Sequence, residues 1–131
     1  RLISQSTQLA ARVTLRGALS PTRAQAELAE ADLLVSASVM ESYGMALAEA
    51  RVAGVPILAR AGGNAAAHVE PSAGGQLVAT THELAIACLE LARDPARRRT
   101  LRSRARAHAL PARAWSEAAR ELLSQLASLE K

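Results

Sequence analysis

The chain has 131 residues, half of them apolar, which is enough for one domain with a core and too few for two ordinary ones. Tyr43 and Trp115 are its only aromatics, so the core must be Ala, Leu and Val, and the net charge of +4 rests on arginine because Lys131 is the only lysine. A single cysteine, Cys88, excludes an internal disulfide, while the absence of a signal-peptide pattern and of any run of roughly 18 apolar residues argues for a soluble, cytoplasmic segment.

Residues 1–11 carry Leu2, Leu9 and Ala10 among polar residues, as in the tail of a surface helix. Arg12-Val13-Thr14-Leu15-Arg16-Gly17 alternates polar and apolar side chains, which predicts a short strand ended by glycine. Ser20-Pro21 supplies an N-cap and a proline at the first helical position, so a helix should run to about Ala31 and bury Ala24, Leu28 and Ala31. Leu33 to Ala37 is a continuous apolar run, as expected of a parallel strand covered on both faces. Gly44 to Ala53 reads as a helix of small apolar residues stopped by Gly54, and Val55 to Ala59 as the next buried strand, with Pro56 near its start.

A turn of helix over residues 65–69 and a third strand from Gly75 to Ala79 follow. Thr80 and Glu83 form a capping box, and Asp94-Pro95 caps the helix that carries the arginine run from Arg97 to Arg106. The last helix repeats Trp115, Ala119, Leu122, Leu126 and Leu129 at helical spacing, with Trp115 as its anchor. Strand and helix alternate through the middle, so the fold class is α/β with a parallel sheet.

The chemistry gathers between Ala31 and Gly63. A strand, a turn at Ser42-Tyr43-Gly44 and a helix N-terminus present free backbone N–H groups and the positive end of a dipole, which suits a phosphate near Gly44 and Met45. Such a turn falls at the carboxyl end of its strand, where open α/β sheets take ligands. Glu49 sits among Ala, Leu and Val in a helix expected to be hemmed in by buried strands, so its carboxylate needs a partner: a ribose diol, or an ion pair with Arg51 or Arg60. Glu41 stands in the turn, either at the site or solvated. Gly62-Gly63-Asn64 follows the next strand and offers a second backbone loop to the same ligand.

These residues resemble the carboxyl-terminal half of two-domain GT-B glycosyltransferases, specifically glycosyltransferase family 4, the group 1 transferases. The resemblance rests on Ala31-Asp32, Leu33 to Ser38, Glu41-Ser42-Tyr43-Gly44-Met45, Glu49-Ala50, Gly54-Val55-Pro56-Ile57-Leu58-Ala59 and Gly62-Gly63. Weaker features lie at Val13 to Gly17, Gly75 to Val78 and Trp115, so it covers nearly the whole chain.

The resemblance implies that residues 1–131 are a Rossmann-like, nucleotide-sugar-binding domain of a retaining enzyme that uses no metal and no cofactor beyond its nucleotide-diphosphate sugar donor. By position, Glu49 would bind the ribose hydroxyls and Glu41, as the catalytic residue, would lie beside the donor sugar. The Ser42, Tyr43, Gly44 and Met45 backbone would contact sugar and diphosphate, with Gly62 and Gly63 alongside and the Gly17 loop near the base.

The family's proline-glutamate pair after the Gly-Gly loop is replaced by Asn64-Ala65-Ala66-Ala67-His68. The family sheet, ordered 3-2-1-4-5-6, also needs two strands and basic diphosphate-clamping residues upstream of Arg1, and an amino-terminal acceptor domain. The expectation is therefore an incomplete sheet in a piece of a longer enzyme that is inactive alone. Either the Val13 strand pairs directly with the Leu33 strand, or a second copy covers the open edges.

The alternative to a transferase donor domain is an inactive nucleotide-binding or interaction module of the same fold. The arginine run lacks interleaved aromatics and reads as a solvated helix face rather than a nucleic-acid site, with contact to an anionic membrane between the two. His68, His82 and His108 are too scattered for a metal site, and Cys88, on an apolar helical stripe, reads as an ordinary thiol.

Overall fold

The computed structural model describes residues 3–112 and 114–129. Three short strands, β1 (Leu34–Ser36), β2 (Ile57–Arg60) and β3 (Gln76–Val78), form one open parallel sheet in the order β1-β2-β3. Val35 pairs with Leu58, and Ala59 with Leu77. The helices are α1 (Thr7–Ala10), α2 (Pro21–Glu30), α3 (Met45–Ala53), α4 (Thr81–Arg93), α5 (Pro95–Ala107) and α6 (Trp115–Leu129). This is the partial Rossmann-like α/β arrangement expected. No helix among the described residues is long and apolar enough to cross a membrane.

β2 is the centre because its side chains alternate between two cores. Ile57 and Ala59 join Leu47 and Ala50 of α3 with Val55, Ala65 and Val69, while Leu58 joins Leu84, Ala87 and Leu91 of α4. Cys88 packs against the second core, and burial pushes its thiol pKa up, which favours the protonated form. At β1 the two-sided cover expected for residues 33–37 fails: Val35 is 44% exposed. It shares Leu58's face, where α4 packs chiefly on β2 and β3.

Two of the three predicted side-chain caps form, at Thr80 and Asp94, whereas Ser20 stands at the N-cap of α2 without a side-chain capping bond. The Thr80 hydroxyl accepts from Glu83 N at 3.1 Å, the Glu83 carboxylate accepts from Ala79 N at 2.8 Å, and Asp94 accepts from Arg97 N at 2.8 Å. Helix α2 starts at Pro21 as expected but buries no residue fully; Leu28 and Ala31 are half-buried and Ala24 is exposed. It packs on α3 beyond the sheet edge, so only one side of it is covered.

Arg97, Arg99, Arg104 and Arg106 are exposed, as expected of a solvated helix face, while two members of the arginine run are engaged. Arg98 donates to the carbonyls of Leu91 and Ala92 at 2.6 and 2.8 Å, and Arg102 to those of Ala29 and Ala31. Both guanidinium groups thereby satisfy the last carbonyls of a neighbouring helix, α4 for Arg98 and α2 for Arg102.

The predicted strand at Arg12 to Gly17 does not form, and it does not pair with the Leu33 strand. Val13 and Leu15 are 39% and 79% exposed, and Arg16 instead holds Glu27 of α2 at 2.9 Å. A strand must share its backbone hydrogen bonds with a neighbour, and the ion pair docks this segment on a helix rather than on the sheet edge. Residues 3–11 form a 3-10 turn and a single short helix, and Leu2 lies outside the described residues. On α6, Leu122, Leu126 and Leu129 are exposed, and the side chain of Trp115, expected to anchor that helix, lies outside what is described.

Candidate functional site

Beyond β1 the chain continues alongside the extension of β2, in the same direction. Glu41 bridges Gly63 in parallel, Glu41 N donates to Gly62 O at 3.4 Å, and Asn64 N donates to Glu41 O at 2.8 Å. Only glycine fits on the facing strand. A Cβ on Gly62 would lie 2.1 Å from Val39 O, and one on Gly63 2.1 Å from Glu41 O. The Gly-Gly loop and the glutamate turn are therefore one interlocked backbone unit. Half-buried Glu41 accepts a 3.2 Å hydrogen bond from the Ser36 hydroxyl, which ties its carboxylate to the end of β1.

The next peptides carry the turn into α3. Gly44 takes φ +85°, a left-handed conformation that favours glycine, and its carbonyl accepts the first helical bond from Ala48 N at 2.9 Å. It is buried, and the space a side chain would occupy is taken by the His68 ring at 3.0 Å and the Leu47 side chain at 3.3 Å. The Tyr43 carbonyl just before it accepts from Asn64 Nδ2 at 3.2 Å and meets His68 Nε2 at 2.6 Å. A carbonyl can only accept, so His68 carries its proton on Nε2. The two rings also touch edge to face, 5.3 Å apart. Ser42, Tyr43 and Met45 are exposed around this turn.

Glu49 corrects the sequence reading: it is exposed, not buried. Helix α3 buries only Leu47 and Ala50, and Glu49 belongs to its other face. There it lines a cavity of about 740 Å³ with Leu28, Tyr43, Val52, His68 and Leu110. Neither expected ion pair forms. Arg51 donates to His68 O at 3.2 Å and pairs with Glu70 at 3.5 Å, and Arg60 donates to the Thr81 hydroxyl at 3.2 Å. Among the described residues Glu49 has no hydrogen-bond or ionic partner.

The turn thus gathers Glu41, Ser42, Tyr43, Gly44, Met45, Gly62 and Gly63, with Glu49 on the helix behind. Gly17 is not drawn in; it lies in the exposed 12–17 segment, with nothing within 4 Å of where its Cβ would be. The side chains of Asn64 and His68 are what sequence reasoning left without a role. Their only signal is a polar pair four positions apart on an otherwise all-alanine turn, which gives no hint that its target is Tyr43, more than twenty residues earlier.

Glu70 is the one carboxylate here whose pKa is lowered, first by the Ser72 hydroxyl and then by the charges of Arg51 and His108. It braces Arg51, and through it the His68 carbonyl. No three His, Cys, Asp or Glu side chains cluster among the described residues as metal ligands would.

The sequence model of the family described as Glycosyl transferases group 1 matches residues 1–108. No curated protein and no solved structure matches the chain.

Proposed function

The chain belongs to the group 1 glycosyl transferases, and from that premise we propose that the Glu41–Gly63 unit and Glu49 are the donor side of a glycosyl-transfer site. The donor is a nucleotide-diphosphate sugar. Glu49 takes the ribose hydroxyls, Glu41 lies against the sugar hydroxyls, and the N–H groups at Gly44 and Met45 face the diphosphate. This is the carboxyl-terminal half of a family 4 enzyme that retains anomeric configuration, uses no metal, and takes its acceptor from a second domain.

One observation carries the proposal. Glu49 is a carboxylate without a partner on the wall of a cavity large enough for a small ligand, beside the turn that presents a helix N-terminus. An exposed carboxylate needs no partner for stability, so its place among Leu28, Val52 and Leu110 calls for a hydroxyl-bearing ligand that brings apolar surface as well.

The physical task of such a site is to accept charge. As the bond from the anomeric carbon to the diphosphate breaks, its electron pair passes to the phosphate oxygen, and fixed N–H donors stabilise that charge without reorganising.

Titrating UDP, GDP and ADP against the chain and its Glu49→Ala variant tests this. One of them binds the wild type, and the variant binds it about tenfold or more weakly with an unchanged melting temperature, the loss expected for hydrogen bonds to a charged group. If none binds the wild type, the donor reading fails.

A further inference from the structure

We propose that Asn64 and His68 are positioning residues that clamp the Tyr43 carbonyl and so aim the Gly44 N–H at the donor diphosphate; this rests on the donor reading above. A trans peptide holds a carbonyl and the following N–H on opposite sides of one rigid plane. Two donors grip Tyr43 O from the side of the Asn64–Ala67 turn, Asn64 Nδ2 at 3.2 Å and His68 Nε2 at 2.6 Å. The N–H of Gly44 is thereby turned away from that side. Among the described residues it has no acceptor, although Gly44 is buried. A buried backbone donor without a partner is rare and costly, and a ligand oxygen relieves it.

The clamp is itself held. Arg51 donates to the His68 carbonyl at 3.2 Å and is fixed by Glu70, the His68 ring fills the space next to Gly44, and Asn64 N is bonded to Glu41 O at 2.8 Å. His68 also lines the cavity shared by Tyr43 and Glu49, so clamp and binding wall are continuous. Without the clamp, the peptide between Tyr43 and Gly44 is free to rotate, and the energy of orienting its N–H falls on the ligand.

Three variants of the full chain, titrated with whichever of UDP, GDP and ADP the wild type binds, test the proposal. His68→Ala weakens binding about tenfold and Asn64→Ala about fivefold, as expected for one lost hydrogen bond each. His68→Gln, which keeps an N–H donor at similar reach, stays within about threefold of wild type. Equal losses in His68→Gln and His68→Ala would mean that the ring only fills space, and overturn the clamp while leaving the donor reading intact. Unchanged affinity in both alanine variants does the same. A wild type that binds none of the three nucleotides overturns both.

Discussion

Two segments of this chain close on a glycine and end in opposite states. The turn from Val39 to Gly44 follows a predicted strand, the segment from Arg12 to Gly17 is itself a predicted strand, and each ends in a glycine with positive φ. The first is locked: its backbone bonds to Gly62 and Asn64, its carbonyls stand against Gly62 and Gly63, and its last peptide is gripped by two side chains. The second has one ion pair to α2 and no place in the sheet. Alternation and a closing glycine mark a segment that can pair, whereas pairing itself requires a neighbour with a free edge at the right distance.

Alanine at the two kinds of glycine separates them. Gly63→Ala has the largest expected effect, a loss of about 3–5 kcal/mol, because its Cβ meets the Glu41 carbonyl and φ +55° is strained for any side chain. Gly17→Ala meets nothing and adds only backbone strain, about 1 kcal/mol. Denaturant unfolding of both variants measures the gap; equal losses would mean that the two loops are not differently held.

A smaller effect concerns the brace behind the clamp. The Glu70 carboxyl is held below the ordinary carboxylate range in the folded chain, so it contributes stability above its unfolded pKa, and that contribution is lost as pH falls through the lowered folded value. Glu70→Gln removes this acid-side loss. Melting temperatures from neutral to acidic pH should fall less steeply in the variant than in wild type; parallel curves would show that the Ser72 and Arg51 contacts do not persist in solution.

The sequence shows most of what is fixed locally. Thr80 with Glu83, Asp94 with Pro95, and Gly44 and Gly54 around α3 each act within a few residues of their targets, so their spacing is enough to read them. The paired roles of Glu41 and Gly63 were half legible, since the motif marks both while only the fold shows that one needs the other's missing side chain. What could not be read depends on distance along the chain. Glu49 was expected to be buried because its neighbours are apolar, yet a nine-residue helix at the side of a three-stranded sheet covers only one face. The grip of His68 on Tyr43 and of Arg102 on Ala29 joins residues with no sequence relation.

The most direct test of the donor site is a map of backbone amide shifts on adding the nucleoside diphosphate that binds. We expect the largest changes at Gly44, Met45 and Glu49, with smaller ones at Gly63 and Asn64, and their loss in Glu49→Ala. Shifts confined to the arginines of α5, Arg97 to Arg106, and unchanged by Glu49→Ala would show phosphate attracted to a charged helix, and would contradict a donor site on the Glu41–Gly63 unit.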